Sequence, residues 1–303
     1  MGKQLIYLGF VAAAALVFVA CNQNKSSKID YDTPKKGTIY ISVDETFKPV
    51  ISEQIKVYQS SYPEAHIIAS YKSEADCFRD LQKDSTRMVI VARGLTEEES
   101  SYFKSSIQFK PQWDALAYDA VAAIVNITSP DSVFTLQQLK KLLTDTLPGK
   151  QVVVDGNNAT STVRYLLDTL LHGASFGKNV RAANGSKAVI EYVTQNPGAI
   201  GFVGSSWVGS DQDPEQVADS KKIRLALLEC KSCGSDIFAK PSQTTISEGK
   251  YPLARPLYYI LKENSSGLGF GFANFMSLER GQLIFRRAYL APGKMFFGIR
   301  KVV

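Results

Sequence analysis

Three short β-rich runs separated by two helical stretches open the body of this chain, and that alternation confines it to a mainly parallel sheet covered by helices. Residues 38–43 (TIYISV) read as a strand, and from 47 to 62 apolar residues recur at helical spacing until Pro63. Residues 66–69 give a second strand, 74–83 a helix and 88–92 a third strand. Parallel neighbours cannot be joined by a tight turn, so each helix must cross over a face of the sheet. Residues 115–125 (ALAYDAVAAIV) form a long apolar strand, and 135–143 a helix opened by Thr135, whose hydroxyl suits the cap position. The alternation then restarts with a strand at 151–154, helices at 161–171 and 186–194, and a strand at 199–203. A strand at 251–261 and a mainly helical stretch from 271 to 289 follow. One α/β unit is thus interrupted by another and the chain returns to the first, which predicts two lobes. No repeat of solenoid period is present.

Composition narrows the function classes. With 303 residues, 45% hydrophobic and 21% charged, the chain is globular and long enough for two cores with a site between them. The formal net charge of +6 suits an anionic partner, but Lys and Arg are not gathered into the runs that nucleic-acid binders show, so no nucleic-acid partner is expected. Neither a GxSxG elbow, an HExxH pair, a P-loop nor paired metal-ligand clusters occur, and the two histidines, His66 and His172, lie in unrelated segments. These features predict no enzyme, no metal and no cofactor. Cys230 and Cys233 form a single CxxC with no second pair, which argues against zinc and for a structural disulfide, with redox activity as the weaker alternative. Cys77 reads as a buried free thiol.

The N-terminus reads as a targeting segment. Lys3 supplies a positive start, and the apolar run over residues 5–20 is shorter than the ~20 residues a membrane-spanning helix needs. Cys21 follows Val19-Ala20 directly, and this arrangement resembles the lipobox of bacterial lipoproteins, with Phe18 where that family usually has Leu. The resemblance implies a signal peptide over 1–20, a lipid-acylated Cys21 holding the chain to the membrane, and a cell-envelope protein facing the periplasm. The polar, non-periodic residues that follow give a flexible tether over 21–36.

Farther along, ordered motifs resemble the phosphate-binding subunits of ABC transporters. Asn184-Gly185-Ser186, then Val189 and Val193, then Asn196-Pro197-Gly198-Ala199-Ile200-Gly201-Phe202-Val203-Gly204 look like that family's GS…V…NPGAIGYVG segment. Residues 119–126 with 135–139 are similar to its outgoing crossover, residues 251–258 to its returning strand, and Arg93-Gly94-Leu95 before Glu97, Glu98 and Glu99 to its SR-x-L…E turn. The resemblance implies a type II periplasmic binding protein: lobe one over 37–118 and 255–303, lobe two over 119–254, two crossing strands, and a cleft that clamps inorganic phosphate or a similar oxyanion for an ABC transporter permease.

The same resemblance nominates ligand donors. Thr160, Ser161 and Thr162 stand where the family has its Ser-Gly-Thr phosphate loop; Gly185 and Ser186 open the next helix. Ser42 and Thr46 flank the first strand-to-helix turn, Ser73 starts the second helix, and Arg93 or Arg164 offers a cation. Helix capping alone also accounts for most of these hydroxyls. The departures are acidic. Asp44 and Glu45 occupy the first loop, Glu74 ends a Tyr-Lys-Ser-Glu run where the family has Gly-Ser-Gly, Gly156 falls where many members have Arg, and Arg87 where an acid is common. A carboxylate repels a phosphate dianion unless it accepts the proton of a protonated form. The acidic loops therefore support a second expectation, a receptor-fold lipoprotein that senses or scaffolds without transport.

Overall fold

The computed structural model describes residues 32–106, 108–144, 150–156, 159–263 and 266–295; Cys21 and the signal segment lie outside them. The body from Asp32 onward is a unit of its own.

In its first half, β1 (Gly37–Asp44) pairs in parallel with β2 (Ala65–Lys72) on one side and β3 (Thr86–Val91) on the other. Helix α1 (Lys48–Ser61) joins β1 to β2 and α2 (Glu74–Leu81) joins β2 to β3. The side-chain alternation of β3 shows why its whole run is apolar. Met88 and Ile90 join Ile39, Ile41, Val43 and the buried face of α1 in one core, while Val89 and Val91 meet Cys77, Phe78 and Leu81 of α2 in another. Helix α3 (Glu97–Ser106), which periodicity does not reveal because its single buried apolar side chain is Phe103, follows β3.

The 15-residue β4 (Gln112–Asn126) is the spine. Gln112 to Ala120 pair antiparallel with β12 (Ala254–Leu261), and Val121 to Val125 pair antiparallel with β8 (Ala199–Gly204). In the second half, β6 (Gln151–Val154) runs parallel to β8 and to β7 (Val180–Ala182). The strand order is β2-β1-β3-β12-β4-β8-β6-β7, so one hydrogen-bonded path runs through both halves. Strands β9 (Ile223–Leu225) and β13 (Ala291–Pro292) pair with β4 off this path, and β5 (Val133–Phe134), β10 (Leu227–Glu229) and β11 (Phe238–Ala239) form a separate small sheet. The expected α/β architecture with mainly parallel halves is what forms, and the crossing strands β4 and β12 pair antiparallel with each other, with β8 and with β3. In the second half, α4 (Leu136–Leu143), with a capping box of Thr135 and Gln138, and α5 (Ser161–Tyr165) pack against one side of the sheet, and α6 (Ser186–Gln195) against the other.

Three expected helices differ in detail. The first begins as a tight turn over Glu45–Phe47 before α1, the helix from Ser161 widens into a π-type turn over Leu166–Leu170, and the C-terminal stretch breaks at extended Leu278 into α7 (Leu268–Ser277) and α8 (Glu279–Arg287). The end of the expected tether is also bound into the body. Asp32 accepts from Arg87 and from Leu268 N at the start of α7, and burial alone would raise its carboxyl, but these bonds outweigh it and hold the group below its usual range. Cys230 and Cys233 are disulfide-bonded with Cα atoms 5.4 Å apart, and Cys77 is a buried free thiol. Among the described residues, no helix is long and apolar enough to cross a membrane.

Candidate functional site

The carboxyl ends of the parallel strands face one another across the two halves, which is where open α/β sheets place ligands. β1 ends at Asp44, β3 runs into Ala92, β6 into Asp155 and β8 into Ser205. Each end supplies a polar group because the chain must turn there. Asp44 Oδ1 accepts Thr46 N at 2.9 Å and so starts the tight turn, as Asp does wherever its side chain replaces a backbone acceptor. The turn delivers Thr46 to the second half. Ser206 Oγ donates to Thr46 O at 2.9 Å, and Thr46 Oγ1 lies 3.4 Å from Ser161 Oγ and 3.5 Å from Asp155 Oδ2.

Beyond β6, Thr160 caps α5 by accepting Val163 N and donates its own proton to Asp155 Oδ1 at 2.7 Å. Ser161 Oγ accepts from Arg255 Nη1 at 3.0 Å. Thr162 Oγ1 is buried beside Asp155 without a bond of normal geometry. Arg255 itself is fully buried under the site. Its Nε and Nη2 both donate to Asp119 Oδ2, at 3.1 and 3.0 Å, and its guanidinium lies 5.4 Å from the Phe47 ring centre. Asp119 Oδ1 takes Ser205 N and Oγ, so the pair is completely hydrogen-bonded.

Four further acids converge on this cluster. Glu45 reaches the start of α6, where its carboxylate accepts from Ser186 N and from Ser186 Oγ, the latter at 3.0 Å. Glu74 accepts Ala92 N at 2.9 Å and pairs with Arg164 from the opposite half. Asp155 is buried, and desolvation raises its carboxyl despite the hydroxyls around it. Asp44 is buried with Oδ2 unpartnered. Burial first and the neighbouring Glu74 charge second push Asp44 up to about 7, with Arg255 pulling the other way. Desolvation likewise raises Glu45, against the bonds from Ser186. The site thus offers hydroxyl donors and one deep guanidinium, set among carboxyls of which Asp44, Glu45 and Asp155 hold protons more tightly than usual.

Of the nominated residues, the structure brings together Thr46, Thr160, Ser161, Thr162, Gly185 and Ser186. Ser42 is buried but gives its proton to Asp80 at 2.6 Å. Ser73 caps α2, accepting Asp76 N and donating to the Asp76 carboxylate. Arg93 is bound by Glu99 through both Nη atoms and stacks on Phe78 at 3.7 Å. Arg164, the other cation considered, is held by Glu74 and Asp168. Sequence reasoning missed Asp119, Asp155 and Arg255 as parts of the site. A usable signal existed for two of them: an Asp and an Arg inside otherwise apolar strands must find each other or a ligand, because an isolated buried charge is too costly.

Comparison with known proteins agrees with this fold. Residues 30–279 match the model of a PBP superfamily domain. The phosphate-binding protein PstS of Pseudomonas aeruginosa is 24% identical, with 88% of each chain covered. PstS of Staphylococcus epidermidis is 20% identical over 94% of this chain and 87% of its own. Among solved structures, a Clostridium perfringens chain with bound phosphate superposes with a TM-score of 0.69 at 20% identity, covering 84% of this chain and 99% of its own. An ABC-type phosphate transport receptor from Vibrio cholerae gives 0.61 at 17% identity, covering 84% and 100%. At these identities the structural likeness is one of fold.

Proposed function

The chain belongs to the PBP superfamily, and from that premise we propose that it is an extracytoplasmic solute receptor, lipid-anchored through Cys21, that captures phosphate or a related oxyanion for an ABC transporter permease. Its role is binding rather than catalysis. The observation that carries the reading is the gathering of the Thr46, Thr160 and Thr162 hydroxyls about Asp155, with Ser161 beside them taking a bond from Arg255, at facing strand ends. Short hydroxyls and a fixed guanidinium are donors suited to a small tetrahedral anion.

The carboxyls decide which anion. Asp44 Oδ2 has no partner, and Thr162 Oγ1 lacks a bond of normal geometry. A solute that brings its own proton satisfies the first as donor and the second as acceptor, whereas a fully ionised one has no proton to give and is repelled wherever Asp44 is ionised. Phosphate and arsenate carry such a proton at neutral pH and sulfate does not. Calorimetry on the processed protein is expected to give saturable heat with phosphate and none with sulfate, and Thr160→Ala with Thr162→Ala to abolish it. No heat with phosphate or arsenate refutes the receptor reading and leaves the second one, a sensor or scaffold on the same fold. That second reading draws its support from the acids, since Glu45 and Glu74 already bind donors of the site.

A further inference from the structure

Glu45 stands on the turn after β1 in the first half of the body, and Ser186 opens α6 in the second, 141 residues away. Helix α6 needs an acceptor at its start, where the first amides have no partner within the helix. Its cap residue is Gly185 with φ 86°, which brings no side chain, and no local group caps it. The acceptor comes instead from the first half of the body. Glu45 Oε2 takes Ser186 Oγ at 3.0 Å and Ser186 N at 3.3 Å, while Oε1 is 3.4 Å from the same amide. Gly185 makes the approach possible, since a Cβ there would stand 3.0 Å from Glu45 Oε1 in a backbone conformation that side chains avoid.

Other contacts bridge the same gap. Ser206 Oγ bonds Thr46 O, Thr46 Oγ1 lies 3.4 Å from Ser161 Oγ, Ala75 N at the start of α2 donates to Ala159 O at 3.1 Å, and Arg164 pairs with Glu74. All of these join the first half to the second at the strand ends. In the Glu45 contact a carboxylate presents its oxygens to the amide and the hydroxyl of one helix start, the same recognition that an oxyanion would use there.

We infer that the chain carries its own occupant for the anion position: the Glu45 carboxylate latches the two halves shut by capping α6 in trans, and a solute gains the Ser186 donors only by displacing it. The competitive half of this inference rests on the receptor reading; the latch does not. It makes Glu45 a positioning residue that sets both the closed geometry and the threshold for capture.

Hydrogen exchange at the Ser186 and Lys187 amides and the radius of gyration by X-ray scattering test the latch in anion-free buffer. Glu45→Ala is expected to exchange about tenfold faster at those amides, the factor appropriate to a lost cap, and to expand. Glu45→Gln, which keeps the shape and an acceptor oxygen, should fall between, and it serves as the readout if the alanine variant fails to fold. Added phosphate should contract Glu45→Ala again and bind it more tightly than it binds the parent. Unchanged exchange and unchanged size in both variants overturn the latch, and equal phosphate affinity in parent and variant overturns the competition. If neither protein binds phosphate while Glu45→Ala still opens, the latch stands and the receptor reading falls.

Discussion

Removing the Arg255 guanidinium by Arg255→Met tests whether the buried ion pair holds the two crossing strands together. Arg255 on β12 and Asp119 on β4 are both wholly buried, and the two bonds to Asp119 Oδ2 are its charge compensation. Breaking a buried pair from one side costs about 3–5 kcal/mol because the remaining charge stays desolvated. Asp119 keeps its two bonds from Ser205, which moderates the loss, while Ser161 Oγ forfeits a donor and Phe47 its cation contact. The net expectation is about 3 kcal/mol. For a domain of this size that corresponds to a fall in melting temperature of roughly 6–12 °C.

The partner variant makes the test specific. Asp119→Asn keeps the Oδ1 acceptor for Ser205, removes the charge and turns the Oδ2 that accepts both Arg255 bonds into an NH2 donor. The double variant is therefore expected to regain about 2 kcal/mol over Arg255→Met alone, a coupling that directly paired groups produce and independent sites do not. Thermal unfolding followed by circular dichroism on the four proteins of this cycle gives both numbers. A melting temperature for Arg255→Met within about 2 °C of the parent, or strictly additive losses in the double variant, refutes the reasoning.

Two further outcomes follow from the same cluster. Asp44 ionises near 7 in the folded chain against 3.8 ordinarily, so the native state holds a proton that the unfolded state releases, and stability should fall as pH rises from about 4 to about 7. Asp44→Asn should flatten that slope, measured as melting temperature at pH 5 and pH 8; an identical slope in both proteins refutes the assignment. Gly204 lies against the turn after β1, where an added Cβ would stand 2.3 Å from Thr46 Cγ2, so Gly204→Ala should cost about 1–3 kcal/mol and weaken phosphate binding in calorimetry by displacing Thr46.

Most elements of this fold were legible because they carry their own signal, which α3 with its single buried apolar side chain lacks. The unbroken apolar run of β3 reports two buried faces, the apolar stripe of α1 reports one, and Thr135 or Thr160 announces a helix start through a hydroxyl that caps the very next turn. The gathering of Thr46 with Thr160, Ser161 and Thr162 was legible too, through resemblance in motif order. Ser42, Ser73 and Arg93 show the limit of that reading. A hydroxyl or a guanidinium near a helix start looks the same whether it faces a solute, its own helix or a neighbouring acid, and Asp80, Asp76 and Glu99 took these three.

What the amino-acid order determined alone was therefore local: periodicity, caps, turns, and the supply of donors and acids near the strand ends. The pairing of those acids belongs to the tertiary structure. Asp119 meets Arg255 across 136 positions, Glu74 meets Arg164 across 90, and Glu45 meets Ser186 across 141. Charge interactions depend on distance through space and on the exclusion of water, and both are set only when β4 and β12 cross and the two halves of the sheet come face to face.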